Sequence, residues 1–372
     1  MQDLLLNAYL AYRSGRSFVF NNYTWSEGVS DYSLYNMMPI PSRIPLTALI
    51  QGSIVGAPFA MDPHAPRAVM KEFWDKVCPN ATVIRNDDVL AMMDTDPTTA
   101  SLTLTKWLEV LDAIEDPCVE VAQDPRQIFD IWILQDANRL LDEWPSFSQS
   151  PILTEFGWSP LVELAFDTNR EMISPSSAFR PYLSSTSLEV MSNSKRYTPI
   201  PGLMAVHIRR GDFVRHCKRI NEWQAKFFGY NAFPSFTDKL SMPEGASPAE
   251  RAEIYRMHCF PEINDIVRKI EEVRRSSGAS QGIENLYIMT NGPSAWIADL
   301  KKALLSSSSW NRITSSREII VNHEQEYVKQ AVDMLIGQRA QVFIGNGFSS
   351  MTGQVSMLRM ANGISPNTTR FW

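Results

Sequence analysis

Three polar loops in the second half of the sequence each follow a run of apolar residues. They are His207-Ile208-Arg209-Arg210-Gly211-Asp212, Thr290-Asn291-Gly292-Pro293 and Gly345-Asn346-Gly347-Phe348-Ser349-Ser350. Apolar runs bounded by turn residues, alternating with helical patterns, are typical of strands in a parallel, helix-covered sheet. Ligands bind at the carboxyl ends of such strands. The sequence therefore predicts a binding site formed by these loops.

The first and third loops have the chemistry of a diphosphate site. Arg209 and Arg210 carry adjacent guanidinium groups, which stay charged and offer forked donors to phosphate oxygens. In the third loop, glycines allow backbone N–H groups to approach an anion, and Ser349 and Ser350 lie where a helix begins. We expect an arginine on one side of the diphosphate and the two serines on the other.

Each signal also has a plainer interpretation. A pair of arginines is usually a surface feature, and a glycine-rich stretch is usually a turn. Gly345-Asn346-Gly347 does not continue into Lys-Ser/Thr, so it is not a P-loop. Arg210-Gly211-Asp212 matches a cell-adhesion tripeptide, but it lies directly after a buried strand and is poorly placed for adhesion.

The histidines and cysteines do not predict a metal site. His216-Cys217 and His258-Cys259 supply four soft ligands, but adjacent residues on a strand point in opposite directions. A Cys217–Cys259 disulfide is the simpler interpretation, although reduced thiols remain an alternative. The sequence contains no CxxC, HExxH or DxD motif, and we expect no metal. His64 and His323 are expected to have structural roles.

The composition is that of an ordinary globular protein. The chain has 372 residues, 44% of them apolar and 20% charged, with a net charge of −6. This balance argues against nucleic acid as a partner, because nucleic-acid binding needs a clustered basic face. No apolar run approaches the roughly 18–20 residues of a membrane span. Three N-x-S/T sequons, at Asn22, Asn80 and Asn367, leave the compartment open.

The pattern of elements predicts two domains. A polar, Ser- and Pro-rich stretch, 174–201, separates them, which gives an N-terminal domain at 1–196 and a C-terminal domain at 197–372. The helix predicted at 3–14 precedes a strand at 17–20, which is the second half of a βαβ unit. We expect the first strand of that unit, and the loop entering the helix, to be missing. Further predictions are a helix at 127–144, a helix at 249–275 broken near Pro261, and strands at 285–290 and 319–321.

The C-terminal half resembles the fucosyltransferases that share a His-x-Arg-Arg-x-Asp signature, which include the protein O-fucosyltransferases and α1,6-fucosyltransferases. The matching blocks are His207–Phe213, Leu286–Asn291, and Ala331-Val332-Asp333 through Phe348-Ser349-Ser350. The resemblance implies an α/β, GT-B-like fold with two Rossmann-like domains. It also implies inverting, metal-independent transfer of fucose from GDP-fucose, with no cofactor, to a protein or glycan hydroxyl.

The resemblance also assigns roles to individual residues. His207 would lie near the nucleoside, Arg209 would contact the β-phosphate and stabilise the leaving group, and Arg210 would support the loop. Asp212 would orient an arginine. Asp333 would accept a hydrogen bond from guanine, and Ser349 and Ser350 would hold phosphate.

The sequence departs from the family at two places. It lacks the Gly-rich loop expected before the first helix, and Asn291 stands where relatives often have Asp. Glu27 is a conceivable substitute base, although a solvated loop glutamate is the plainer interpretation. The alternatives are a nucleotide-sugar-binding pseudoenzyme and an unrelated α/β phosphate-binding enzyme. Relatives reside in the ER or Golgi lumen, with a membrane anchor upstream, and we expect the same here if such a segment is missing.

Overall fold

The structure is a computed structural model of the chain. It describes residues 1–24, 30–35, 38–93, 98–122, 126–175, 196–211, 213–276 and 282–372. These residues form two compact units. Unit 1 is built around Met1–Glu163 with Asn322–Ala331, and unit 2 around Ser194–Val321 and Val332–Trp372 together with residues 164–175. The domain boundary expected at residues 196 and 197 stays a prediction.

The first 175 residues contain short helices and strands. The helices are α1 (Gln2–Arg13), α2 (Lys71–Val77), α3 (Asn86–Leu90), α4 (Ala100–Asp112), α5 (Ile131–Gln135), α6 (Trp144–Gln149), α7 (Pro151–Thr154), α8 (Pro160–Thr168) and α9 (Arg170–Ile173). The strands are β1 (Val19–Phe20), β2 (Tyr23–Thr24), β3 (Tyr32–Tyr35), β4 (Met38–Pro41), β5 (Arg43–Ile44), β6 (Ile50–Gln51), β7 (Val69–Met70), β8 (Thr82–Ile84), β9 (Val119–Val121) and β10 (Gly157–Trp158). The pairs β1–β7 and β8–β9 are parallel, whereas β2–β5, β3–β4 and β6–β10 are antiparallel.

Longer elements follow from residue 200 onward. The strands are β11 (Ile200–Ile208), β12 (Asn285–Thr290), β13 (Arg312–Ser315), β14 (Ala340–Gly345) and β15 (Thr369–Phe371). The helices are α10 (Phe213–Glu222), α11 (Pro248–Cys259), α12 (Ile263–Arg275), α13 (Ser294–Ser307), α14 (Lys329–Arg339) and α15 (Ser350–Ala361). The five strands form one parallel sheet in the order β13-β12-β11-β14-β15. This sheet confirms the predicted α/β class.

The sheet of unit 2 is buried on both faces, which explains the continuous apolar runs in its strands. On one face, Val206 and Ile208 of β11 belong to a cluster that includes Ile266 and Ile270 of α12 and Leu300 of α13. The opposite face packs against α14, where a side chain added at Gly337 would meet Met289 and Phe343. Because side chains alternate between faces, His207 lies on this second face.

Arg359 of α15 is fully buried, and its guanidinium is held by main-chain carbonyl oxygens and threonine hydroxyl groups. Its guanidinium donates to the carbonyl oxygens of Gly337 (3.1 Å), Gln338 (3.1 Å) and Ala340 (2.6 Å), where α14 ends and β14 begins. It also donates to the Thr368 and Thr369 hydroxyls, both at 2.8 Å. Burial lowers the pKa of Arg359 to about 9. Arg359 therefore ties the last helix to the ends of three other segments.

All four cysteines form disulfides, in sequential order. Cys78 pairs with Cys118, with a Cα–Cα distance of 5.6 Å, and Cys217 pairs with Cys259 at 5.8 Å. The second bond joins α10 to α11, as the sequence suggested. It also connects the helix after the Arg209 loop to the residue whose carbonyl accepts a 2.7 Å hydrogen bond from Asn346.

Two of the predicted elements are wrong. Residues 319–321 are not a strand. Instead, the strand that pairs with β12 is β13, which lies four to seven residues before position 319. The Ile320 main chain hydrogen-bonds to the Asn169 side chain. The helix predicted at 127–144 is broken into α5, a 3-10 turn at Ala137–Arg139 and the start of α6. Asp130 and Asp136 cap the first two of these pieces and interrupt the helical pattern.

Candidate functional site

The loops predicted to form a site lie side by side at the carboxyl end of the unit 2 sheet. β11 pairs with β12 on one edge and with β14 on the other. From β11 the chain proceeds outward through β12 and β13, then crosses back to β14, so the strand order reverses between β11 and β14. In open α/β sheets, ligands bind at this reversal. The structure thus brings the Arg209 loop and the Ser349 loop to adjacent positions.

His207 is buried near the end of β11 and is neutral. Its Nδ1 lies 2.8 Å from the Thr352 hydroxyl, and its carbonyl oxygen accepts a 2.8 Å hydrogen bond from the Trp372 indole N–H. Burial, and then the positive charge of Arg209, lower the pKa of His207 to about 3. The imidazole is therefore uncharged at physiological pH and links β11 to the first turn of α15.

The adjacent arginines have different environments. Arg209 is partly exposed, with its guanidinium carbon 5.8 Å from the centre of the Phe213 ring. Arg210 is 4% exposed and lies between the rings of Phe260 and Trp296, 4.3 Å and 4.2 Å from their centres. Cation–π contacts of this kind stabilise a desolvated guanidinium. Of the two, Arg209 is the one placed to meet a ligand.

Arg210 stays charged although it is buried. Burial lowers its pKa to about 10, against the raising effect of Glu262. The side chain donates to the Pro261 carbonyl oxygen, whereas its Nε and Nη1 have no hydrogen-bond acceptor among the described residues. Arg210 thus anchors the loop that carries Arg209.

Asn291, directly after β12, holds the main chain of the same loop with its side chain. The Arg210 N–H donates to Asn291 Oδ1 at 2.7 Å, and Asn291 Nδ2 donates to the Arg210 carbonyl oxygen at 3.1 Å. Gly211, which follows, has φ of +64°, a conformation that favours glycine. An aspartate at 291 could accept but not donate. Asparagine therefore has a structural reason to occupy this position.

Asp212 and Glu27, the other polar residues considered for this chemistry, lie outside the described residues.

The Gly345–Ser350 loop is folded by its own contacts. Asn346 Oδ1 accepts from the Phe348 N–H at 3.0 Å, and the Asn346 carbonyl accepts from the Ser349 N–H at 3.0 Å. A side chain added at Gly345 would meet Thr352 at 2.2 Å, and one added at Gly347 would meet the Phe227 ring at 2.4 Å. These glycines are required by packing within the protein, which is a different reason from the ligand approach expected from the sequence.

Ser349 and Ser350 lie where α15 begins. Ser349 is the N-cap residue, but its side chain makes no capping hydrogen bond, and Ser350 is exposed in the first turn. The N–H groups of a first helical turn, with the helix dipole, favour an anion. This helix terminus adjoins the Arg209 loop across the β11–β14 pair.

Asp333 of α14 is engaged with hydroxyl groups. Its carboxylate accepts from the Tyr287 hydroxyl at 2.5 Å and from the Ser316 hydroxyl at 2.8 Å. Burial, followed by the charge of Asp333, raises the pKa of Tyr287 well above its usual value. Sequence reasoning identified Asp333 but not Tyr287 or Ser316. Tyr287 lies within an apolar run and Ser316 between Ser315 and Arg317, so neither sequence context indicated a carboxylate partner.

Within the described residues, no cluster of histidine, cysteine and carboxylate side chains could hold a metal ion. In the same part of the chain, no helix is both long and apolar enough to cross a membrane.

The chain belongs to the GDP-fucose protein O-fucosyltransferase family, whose sequence profile matches residues 164–362, more than half of its length. This membership confirms the assignment expected from the three motif blocks, and the protein is a fucosyltransferase with GDP-fucose as donor. Among solved structures, the chain is similar to POFUT1 in complex with GDP-fucose, with 16% identity over 100% of this chain and 93% of that chain and a TM-score of 0.49. The apo form of POFUT1 gives 17% identity, the same coverage and a TM-score of 0.48. No curated protein sequence matches the chain significantly.

Proposed function

We propose that the carboxyl end of the unit 2 sheet binds the diphosphate of GDP-fucose and supports inverting, metal-independent transfer of fucose. The observation that carries this proposal is the adjacency of the partly exposed Arg209 and the amino end of α15, across the strand pair where the sheet order reverses. The acceptor is a hydroxyl group of a protein or a glycan.

In this proposal the cationic groups act on the leaving group. The acceptor oxygen forms a bond to the anomeric carbon from the face opposite GDP, the carbon–oxygen bond to the β-phosphate breaks, and the acceptor loses its proton to base or solvent. Negative charge grows on the diphosphate as that bond breaks. Arg209 stabilises it from one side, and Ser349, Ser350 and the first turn of α15 from the other. Removal of one such preorganised donor typically costs about 10²–10³ in rate.

The nucleoside end is assigned to His207 and Asp333. Neutral His207 contributes hydrogen bonding without adding charge to the site. Asp333 is an acceptor suited to the donor edge of guanine, and its bonds to Tyr287 and Ser316 fix its orientation. Arg210 and Asn291 position the loop. Asp212 would orient an arginine, as the family resemblance implies.

Nucleotide binding tests this proposal directly. GDP, UDP and ADP are titrated by calorimetry into the wild-type chain in the presence of a metal chelator. Preferential binding of GDP is expected, together with its loss in Arg209→Ala. Arg215→Ala, which removes an exposed arginine from α10, is the matched control and should bind GDP as wild type does.

The transfer assay separates the enzyme from a pseudoenzyme. Release of GDP from GDP-fucose in the presence of acceptor, with Arg209→Ala slower by about 10²–10³, is the expected result. Binding of GDP without transfer would favour the nucleotide-sugar-binding pseudoenzyme. Equal binding of all three nucleotides would refute the role of Asp333.

We also propose the ER or Golgi lumen as the compartment. The pairing of all four cysteines in two disulfides supports an oxidising environment.

A further inference from the structure

A buried asparagine outside the three predicted loops contacts the loop that carries Ser349. Asn231 lies in a 3-10 turn at Gly229–Ala232 and is 0% exposed. Its Nδ2 donates to the carbonyl oxygens of Gly347 at 3.0 Å and Ser349 at 3.1 Å. Its Oδ1 accepts from the Ser356 hydroxyl of α15 at 2.9 Å. One amide therefore connects the loop before α15 to the helix itself.

The carbonyl oxygens of Gly347 and Ser349 each accept a main-chain N–H in addition. Gly347 accepts from Phe228 at 2.8 Å, and Ser349 accepts from Gly353 at 3.0 Å. In a trans peptide the C=O and N–H groups point in opposite directions. Holding the Ser349 carbonyl therefore fixes the direction of the Ser350 N–H, which belongs to the helical turn that we assign to phosphate.

The contribution of the Asn231 amide is orientation. Its Nδ2 makes both hydrogen bonds to carbonyl oxygens, and its Oδ1 accepts from a hydroxyl. A carboxylate at this position could not donate, and an apolar side chain could neither donate nor accept. Gly347 and Ser349 would keep their main-chain donors without this amide, so what it adds is a fixed direction for the two peptides.

The segment that carries this asparagine, residues 227–238, is fixed at both ends. At one end the Phe227 ring packs against the Phe348 ring, with 5.1 Å between their centres. At the other end, the Asp238 carboxylate accepts two hydrogen bonds from the Arg370 guanidinium, at 2.7 Å and 3.0 Å. Such a forked pair is geometrically specific. The turn between these ends is therefore a firm support for the loop it contacts.

We propose that Asn231 is a positioning residue for the diphosphate of the donor. Its amide holds the Gly347 and Ser349 carbonyl oxygens, and through them it orients the N–H groups at the start of α15 toward the phosphate oxygens. Asn231 does not itself meet the ligand, because it is fully buried among protein atoms. Donors aimed at developing charge act through a fixed geometry, and a shift of about 1 Å can cost about 10²-fold in rate. This inference rests on the proposed diphosphate site.

A pair of leucine variants tests the role of this amide. Asn231→Leu removes the donor and the acceptor without placing a charge near the diphosphate. Asn169→Leu is the matched control, because Asn169 is 1% exposed and its Nδ2 also donates to two carbonyl oxygens, those of Ala165 (2.8 Å) and Ile320 (2.7 Å). None of these control residues belongs to the three loops of the site.

GDP and guanosine are titrated by calorimetry into both variants and into wild type, with a metal chelator present and well below the unfolding midpoint. In Asn231→Leu the GDP affinity is expected to fall at least about tenfold, the scale of two lost hydrogen bonds. Guanosine affinity should stay near the wild-type value, because guanosine has no phosphate. Asn169→Leu should bind both ligands as wild type does.

The outcomes separate this inference from the site on which it rests. If wild type binds GDP no more tightly than guanosine, the proposed diphosphate site is wrong, and the role of Asn231 with it. If wild type prefers GDP and the two leucine variants bind it alike, only the role of Asn231 is wrong. Equal losses for GDP and guanosine in Asn231→Leu would show a general structural role and would also overturn the proposal.

Hydrogen exchange of the wild-type chain provides a test that needs no variant. Because ligand binding and loop order are linked, GDP should slow exchange of the Phe228 N–H, which donates to the Gly347 carbonyl oxygen, at least about tenfold. The Ile320 N–H, which donates to Asn169 Oδ1, is the reference amide and should be slowed less. Equal slowing of the two amides, or no slowing at Phe228, would refute the positioning role.

Discussion

At the scale of single residues, the adjacent arginines Arg209 and Arg210 have different roles in this site. Arg209 is partly exposed at the carboxyl end of β11, whereas Arg210 is buried between two aromatic rings. The sequence could show that two arginines follow a strand, but not which of them meets a ligand. That distinction depends on Phe260 and Trp296, which are about 50 and 86 residues away in the chain.

The Asn291→Asp substitution tests the amide that holds this loop. A carboxylate cannot donate to the Arg210 carbonyl oxygen, so we expect a loss of about 1–3 kcal/mol in stability at pH 7. Below about pH 4 the carboxyl group becomes protonated and can donate, and the loss should shrink. Thermal denaturation across this pH range measures both effects.

Asn367→Asp provides the control for the added charge. Asn367 is exposed, and its Oδ1 only accepts, from the Thr237 hydroxyl at 3.3 Å. This variant should remain close to wild type throughout. A loss in Asn291→Asp that does not change with pH would contradict the donor role of Asn291.

The lowered pKa of His207 predicts a pH dependence of stability. Its folded-state pKa of about 3 lies below the ordinary value of 6.5, so between these values the unfolded chain binds a proton that the folded chain does not. The contribution of His207 is complete above pH 6.5 and is lost as the pH falls, by up to about 1.4 kcal/mol per unit. His207→Asn removes this contribution.

Urea denaturation at intervals from pH 7 to about pH 4.5 measures the slope. His258, whose pKa burial also lowers, is present in both proteins and contributes equally to each. The variant should therefore lose less stability than wild type over this range. Parallel slopes would show that His207 is not buried and neutral in solution.

At the scale of helices and strands, continuous apolar runs and long helical patterns could be predicted, whereas short polar strands and interrupted helices could not. The Asn285–Thr290 strand agrees with its predicted bounds, and the break between α11 and α12 falls near Pro261, as expected. The strand expected at 319–321 was wrong because β13 contains only Ile313 as an aliphatic residue among Arg, Thr and Ser. Pairing with β12, rather than local hydrophobicity, makes those residues a strand.

Arg359 is the clearest structural residue that sequence analysis missed. In the sequence it is a single basic residue on a helix, which is usually solvated. Its role depends on carbonyl oxygens at the end of α14, which have no signature in the residue types that carry them. Only the packing of α15 against that helix end brings donor and acceptors together.

The Arg359→Lys and Arg359→Met substitutions should each destabilise the protein by at least about 3 kcal/mol, because several buried carbonyl oxygens lose their donors. Lysine retains the charge but lacks the planar fork of donors. Arg219→Met, on the exposed side of α10, should have little effect. Urea denaturation measures all three, and a wild-type midpoint for Arg359→Lys would contradict this role.

At the scale of the whole molecule, two disulfides of similar span lie in different units. The paired residues are 40 positions apart in Cys78–Cys118 and 42 in Cys217–Cys259. In the chain-entropy description, loops of this size contribute about 4 kcal/mol each. Only the second disulfide connects the two loops of the proposed diphosphate site, through the bond from Asn346 to the Cys259 carbonyl.

The paired Ser variants of each disulfide separate stability from binding. Cys217→Ser/Cys259→Ser and Cys78→Ser/Cys118→Ser should lose similar amounts of stability. GDP affinity should fall in the first and stay near the wild-type value in the second, measured by calorimetry well below the unfolding midpoint. Equal affinities would show that the Cys217–Cys259 bond does not position the site.

The order of the unit 2 sheet also has a consequence for synthesis. β11 is the central strand, but its neighbour β14 is encoded more than 130 residues later. At ribosomal rates of about 5–20 residues per second, the emerging chain exposes this apolar strand edge for about 7–26 seconds before its partner strand is synthesised. The nascent protein is therefore a natural client for chaperones during that interval, and expression at reduced temperature with chaperones present should favour its soluble recovery.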